Sequence, residues 1–539
     1  MPDSRRSVRQ SEGKARSARS LLARITGEHA AGCRPTHDRR PARRHRRLAS
    51  ATLAASAASW ALLAPFALGA WTAPNTISEP HKFIGGLYGQ NVLLASGAAG
   101  TLATWTYQDG LGTRASAGVR ETVAPPGKPF GAEQRLPDSY LTGSMVNIGG
   151  GRVAQLILTP RSPNTSSMSV AIGSVDGRFG APVPVPGSVF AGRASLAGNA
   201  LGDLLVSWIA AGEHGEHRSV WASVRIVRGR FSAPQRLSGN GRYEQVRTAI
   251  GRSRRMVVVF DSGSGALLAR VREGRRAWSR TWRLGPAAVG TENDVTPFVG
   301  DFGEIVVAWY HTQLCEGGCE SPGYIDVAVQ PASLKRFVKA RRLERDPVGL
   351  AAAPSGRSLA PVVIAVPWFT PTIAFLAAES ARAGGPSART AVVKVAYPTG
   401  AGYGPRGGGY TAPQALSPAN EQAGDLAGTA GRIGELLTWI REEPPAYVEG
   451  ALFAAAIGGR LPSRFGVPEQ VSSGERILGA YPLFNTTTRW PAGGGVMPPW
   501  TLAWTSRMRT GAPVEAVVRA SSPICTPTAA TPVSDPVCF

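Results

Sequence analysis

LLVSWIAAGEHGEHRSVWASVRIVRGRFSAPQRLS, residues 204–238, decides the architecture. It opens on an apolar run ending in Trp208, too short for a helix and apolar at every position but Ser207, as expected of a strand buried on both faces. A polar loop then leads to a second short run, ASVRIV (222–227), and the turn Arg228-Gly229-Arg230 leads to FSAPQRLS (231–238). Pro234 has no N–H to give a neighbour, so this last piece suits the outermost strand of a sheet.

The same order of features recurs along the chain. Eight segments share an aromatic, often a proline three residues on, and an aliphatic near the sixth position: Trp71 (WTAPNTIS), Phe130 (FGAEQRLP), Phe179 (FGAPVPVP), Phe231 (FSAPQRLS), Trp278 (WSRTWRLG), Phe337 (FVKARRLE), Tyr410 (YTAPQALS) and Phe465 (FGVPEQVS). Eight buried runs end on a large residue, at Trp105, Leu156, Trp208, Phe260, Trp309, Phe375, Trp439 and Trp504. A third series, such as SVAIG (169–173) and IDVAV (325–329), lies between the two, and short runs such as VRTAI (246–250) and PVVIAV (361–366) precede the buried series. Four short strands repeated at a period of roughly fifty residues are the mark of a β-propeller. The last unit, Tyr481 to Ala520, lacks an aromatic-proline edge strand, and the first edge strand, Trp71–Ser78, lacks inner strands. Joined, they make one complete blade and leave no free sheet edge. The expectation is eight blades over 71–520, closed by the N-terminal strand, with seven blades and a stray strand as the alternative.

Over nearly all of 71–520 the chain resembles uncharacterised secreted repeat propellers of GC-rich bacteria, built from units of the form VVAW…V.A..R..GG.FS.PQ.LS. That resemblance implies a fold and no activity. A remote similarity to sialidase-like (Asp-box) propellers rests on Ser174-Val175-Asp176-Gly177 alone, with compressed spacing and no arginine triad. The docking motif of eight-bladed quinoprotein dehydrogenases is absent. No catalytic residue and no cofactor follow from either family.

The composition fits many tight turns between short strands: 539 residues, 43% apolar, 65 glycines and 43 prolines. The net charge of +23 is uneven. Residues 1–70 hold 14 Lys/Arg against 4 Asp/Glu; the rest holds 45 against 32. This excess would favour an acidic partner such as a wall polymer or anionic glycan. No nucleic-acid motif accompanies it, so no nucleic-acid partner is expected. Arg43, Arg44, Arg46 and Arg47 precede the uncharged stretch 48–70, rich in Ala and Leu and ending in small residues. That is the pattern of a secretory signal, with a membrane anchor as the competing reading. The chain thus divides into a basic n-region (1–47), a signal or membrane segment (48–70), the propeller (71–520) and a C-terminal tail (521–539), and is expected outside the cytoplasm as a monomer.

The four cysteines after residue 70 come as Cys315 with Cys319 and Cys525 with Cys538. An even count in an exported chain reads as two local disulfides. Metal binding by the first pair needs further ligands, and only His311 is near, so no metal is expected.

Loops from the buried to the intermediate strand vary most, and by analogy with other rings ligands meet that face. The third blade offers His214, Glu216 and His217; on a loop this spacing enforces no metal geometry, and a solvated hairpin is the competing reading. His311 follows directly on Trp309, either at the channel rim or as a hydrogen-bonded structural histidine. Glu316, Glu379, Glu442 and Glu443 complete the candidates. The last two alternate sides of a strand and make a poor acid/base pair by themselves; a glycosidase would draw its two carboxylates from different blades, with Asp109, Asp261, Glu316 and Glu379 as contributors that the sequence does not pair. The expectation is a secreted, non-catalytic binding propeller at the cell envelope, with a glycan or envelope protein as ligand. A glycan-active hydrolase or lyase on the loop face and an envelope assembly scaffold are the alternatives.

Overall fold

In the computed structural model each buried run is the second strand of a four-stranded antiparallel sheet, and eight such sheets stand in a ring as an eight-bladed β-propeller. The structure describes residues 71–81, 83–84, 92–97, 99–109, 116–126, 128–136, 141–162, 165–189, 193–211, 218–227, 229–263, 265–287, 295–312, 323–346, 361–364, 370–380, 389–399, 409–419, 421–431, 434–442, 450–458, 464–484, 500–508 and 515–522. The basic n-region, the 48–70 segment, the tail and all four of these cysteines lie outside them. No helix of the described residues is long and apolar enough to cross a membrane.

Blade 3 shows the plan. Its inner strand Ala194–Gly198, buried strand Leu204–Ala211, intermediate strand Arg218–Arg225 and outer strand Gln235–Arg236 pair in sequence order, with Trp208 opposite both Ala194 and Trp221. The large residues ending the eight buried runs are all fully enclosed between neighbouring blades, none more than 2% exposed. Each blade therefore contributes one large anchor to a seam, and each anchor stabilises its seam by about 2–3 kcal/mol through burial alone.

The outer strands are shorter than the aromatic-proline pattern implies. Several reduce to two paired residues: Gln134–Arg135, Val183–Pro184, Gln235–Arg236 and Gln414–Ala415. In all eight segments the residue after the aromatic donates to the intermediate strand, as Ser232 does to Val224 and Gly131 to Val123. The proline sits in the gap between that bond and the paired residues, where no donor is needed.

Blades 7 and 8 share one strand, Glu469–Phe484. Its first part pairs with Gly450–Gly458 as an outer strand, and its second part pairs with Trp500–Met508 as an inner strand. The ring closes where Asn75–Thr76 pairs with Glu515–Ser521, Asn75 opposite Ala520 and Thr76 opposite Arg519. Backbone bonds from Thr72 to Ser522 and from Ile77 to Val518 flank that pairing, and the Ser78 hydroxyl accepts from Val518 N at 2.8 Å.

Hairpins between inner and buried strands tie successive blades together. The fully buried Asp203 accepts from Asn199 Nδ2 in its own blade and from Arg254 Nε in the next at 2.9 Å. Arg255, also buried, donates to the carbonyls of Gly303 at 2.7 Å and Leu334 at 2.9 Å in blade 5. Gly149, at φ +75°, lies so close to Ala200 of blade 3 that a Cβ there would strike its backbone.

Candidate functional site at the loop face

Loops from buried to intermediate strands leave the face opposite these hairpins. Three of them rise from positions just beyond a buried tryptophan: Tyr107 follows Trp105, His311 follows Trp309 and Arg441 follows Trp439, each by two residues and so on the same side of its strand. Around each the structure places an ion pair and an aromatic ring.

In blade 1 the centre is His81, on the link from the closing strand. It is buried, with Nδ1 3.2 Å from the Asp109 carboxylate and Nε2 3.1 Å from Glu133 Oε1. Glu133 is paired in turn with Arg120 Nε at 3.0 Å and accepts from the Glu79 N–H at 2.7 Å. Tyr107 lies beneath, its ring 4.7 Å from that of His81 and 4.4 Å from the Arg120 guanidinium. With a carboxylate on each ring nitrogen, both nitrogens must donate, so the group bound here is an imidazolium. Burial lowers the His81 pKa, but the hydrogen bonds and charges of Glu133 and Asp109 outweigh it, and the net shift is upward.

In blade 5 His311 is buried and sits 2.9 Å from Asp326 Oδ2 through Nε2, while Arg342 Nε donates to Asp326 Oδ1 at 3.3 Å. Tyr324 stacks on His311 at 5.2 Å and carries the Arg342 guanidinium 3.7 Å from its ring. In blade 7 Arg441 pairs with Glu421 at 3.1 Å and lies 4.9 Å from the Phe453 ring. Each cluster ties together strands of its own blade at the root of one of the loops 110–115, 313–322 and 443–449. Their groups are bound to one another.

Of the loop-face ligand candidates His311 has its side chain described, as do Asp109 and Asp261 among the possible carboxylates, the first bound to His81 and the second to the N–H groups of Glu244 and Gln245. Glu379 and Glu442 end their buried strands, opposite Thr390 and Gly450, and their side chains lie outside the described residues. His214, Glu216, His217, Glu316 and Glu443 lie outside them entirely. Asp326 was detectable as a charge within the apolar run IDVAV, whereas nothing around His81 in the sequence signals its role. Among the described residues no group of three or more His, Cys, Asp or Glu side chains is arranged to hold a metal ion.

Two more buried carboxyls lie in the seams. Asp261 accepts from the N–H groups of Glu244 and Gln245, with burial raising its pKa. Glu121, 3% exposed between blades 1 and 2, has its pKa pushed up to about 7 by burial, with the Asp176 charge adding to the rise. A carboxyl whose folded pKa lies above its ordinary value binds its proton more tightly in the folded state. Stability therefore falls as pH climbs from about 4.5 to about 7 and is level above that. Glu121→Gln should abolish this slope and raise stability at pH 8 by about 1–2 kcal/mol. Urea unfolding at pH 5 and pH 8 measures it; an unchanged difference between the two pH values would contradict the assignment.

No family model matches the chain, and no curated protein matches it in sequence. Solved structures do resemble it. A mutant Aleuria aurantia lectin in complex with α-methyl-L-fucoside aligns at 12% identity over 63% of this chain and 98% of its own, with a TM-score of 0.32. A polysaccharide lyase described as an ulvan lyase aligns at 9% identity over 75% and 97%, with a TM-score of 0.37. A post-proline cleaving enzyme from Rickettsia typhi aligns at 10% identity over 78% of this chain and 58% of its own, also at 0.37. Identities and scores this low transfer no ligand and no activity to this chain.

Proposed function

We propose that the chain is an exported, non-catalytic binding propeller that takes a glycan or an envelope protein on its loop face. The observation that carries this reading is the contrast between the two faces. On one, hairpins such as those around Asn199–Asp203 and Gly251–Arg255 are short and bonded across the seams. On the other, segments of unlike length and composition (212–217, 313–322, 381–388, 443–449) join strands of the rigid blades, and at 313–322 and 443–449 the strand ends carry the clusters around His311 and Arg441. Variable loops on a rigid ring are the usual design of a recognition surface. The titratable groups of the three loop-root clusters are engaged with one another, which favours binding over chemistry.

Glycan-array binding by protein lacking residues 1–70 tests this reading. Retention of particular glycans is expected, with roughly tenfold or greater loss when residues 212–217 and 313–322 are replaced by Gly-Ser linkers of equal length. Release of new reducing ends or unsaturated sugars from a retained glycan would replace this reading with the hydrolase or lyase.

A further inference from the structure

We propose that the opposite, hairpin face is a second binding surface, which takes a linear polyanionic glycan laid across blades 1 to 5. Antiparallel order puts inner-to-buried hairpins and intermediate-to-outer turns on this one face. Lys128, Arg230, Arg252, Arg275, Lys335 and Arg336 stand on it, all exposed, and none has a carboxylate partner among the described residues. They lie on the turns of blades 1, 3, 4 and 5; in blade 2 Arg178 is exposed too, paired locally with Asp176.

The acidic groups of the face do not neutralise this charge. Asp203 and Glu304 are buried, Asp203 already holding Arg254. Glu273 is paired with Arg276 at 3.1 Å, and Asp301, half-buried on the blade 5 hairpin, is one carboxylate beside the two exposed cations Lys335 and Arg336 of that blade. Arg225 has its pKa lowered, first by burial and then by Arg152, so cations crowd one another even at the base of the surface. Unneutralised positive charge held on a rigid frame attracts polyanions and costs little to order when one binds.

The spread of the cations selects a polymer. A single small anion would meet one turn, whereas one or more free cations stand on each of blades 1, 3, 4 and 5. Most are arginines, whose guanidinium forks match carboxylate and phosphate oxygens two at a time. Phe302, 61% exposed at the tip of the blade 5 hairpin, lies on the hairpin joined to Arg255 and gives the apolar face of a sugar ring a surface to pack on. A duplex is read by a helix or ribbon entering a groove, and single strands by a row of stacked aromatics. Among the described residues this face has short turns and the single exposed ring of Phe302.

The test uses polygalacturonate as a carboxylate polymer, poly(glycerol phosphate) as a phosphate polymer, and dextran as the neutral control. Binding of at least one polyanion is expected, weakening steeply with salt, with dextran not bound. The tighter of the two identifies the anion. In Arg230→Ser/Arg252→Ser/Arg275→Ser the salt slope should fall by about two to three units, roughly one per lost contact. Lys335→Ser/Arg336→Ser gives an independent second variant, and melting temperatures verify that each is folded. Replacing loop 212–217 should leave this binding unchanged, which separates it from the loop-face reading. Equal affinity and slope in both variants, equal binding of dextran, or tighter binding of duplex DNA than of either polymer would overturn the proposal.

Discussion

A chain beginning at Glu79 should be recovered mostly as aggregate, while one beginning at Trp71 is soluble. The segment 71–78 is the eighth outer strand, and its removal uncovers Val518 and Ala520 together with the edge of Glu515–Ser521. Ile77, 6% exposed, accounts for about 2–3 kcal/mol of burial. The bonds joining Thr72, Ile77 and Ser78 to Ser522 and Val518 add about 1 kcal/mol each. A loss on the order of 5 kcal/mol from a propeller of this size lowers the melting temperature by about 5 °C, since the unfolding entropy amounts to about 1 kcal/mol per degree. The larger penalty is the open strand edge, a template for pairing with another chain. Differential scanning calorimetry and sedimentation of the two proteins provide the measurement. Equal melting and equal solubility would mean that the strand contributes nothing to closure.

His81→Ala should cost about 3 kcal/mol at pH 6 and distinctly less at pH 9. Removing the imidazolium leaves the buried Glu133 with Arg120 and the Glu79 N–H and takes one charged partner from Asp109, the kind of change that is expensive in a buried pair. Because the folded-state pKa is raised above its ordinary value of 6.5, the protonated form is the one that stabilises. Its contribution is complete below about pH 6.5 and is lost as pH rises through the folded pKa. In a Glu121→Gln background, which removes the Glu121 slope, stability should fall more steeply above pH 6.5 with wild-type His81 than with the alanine variant. Parallel pH profiles for the two proteins would rule out the doubly bonded imidazolium.

The ring was legible in the sequence because its two determinants are local. A run such as MVVVF can be covered on both sides only between two blades, and the aromatic followed by Pro at 231 and 234 marks an edge by what proline cannot donate. Closure was legible from the mismatch between the ends. The strand shared by blades 7 and 8 was not, since Ser472-Ser473-Gly474 reads as a turn, whereas Glu469–Phe484 runs on as one strand and changes sheets just after it. Nor was the His81 cluster, whose partners come from positions 109, 120 and 133 and meet only when the closing link folds over blade 1. Asp326 and Arg342 were each visible as charges, but their meeting depends on cross-strand register, which the composition of the turn at 331–340 leaves undetermined. The basic face was hidden for a similar reason: its cations are spread along the sequence and converge through topology.

Pairing of residues 71–78 with 515–522 also sets a clock on biogenesis. The two partners are separated by about 440 residues, the largest sequence distance spanned by a hydrogen bond among the described residues. At a synthesis rate of about 5–20 residues per second, the first strand exists for roughly 20–90 s before its partner has been made. Blades 1 to 7 can assemble in order during that interval, each from neighbouring chain, but the eighth must wait. The nascent ring is therefore an open arc with a sticky edge at both ends, and the interval in which it needs protection is set by elongation rate rather than by any property of the finished fold.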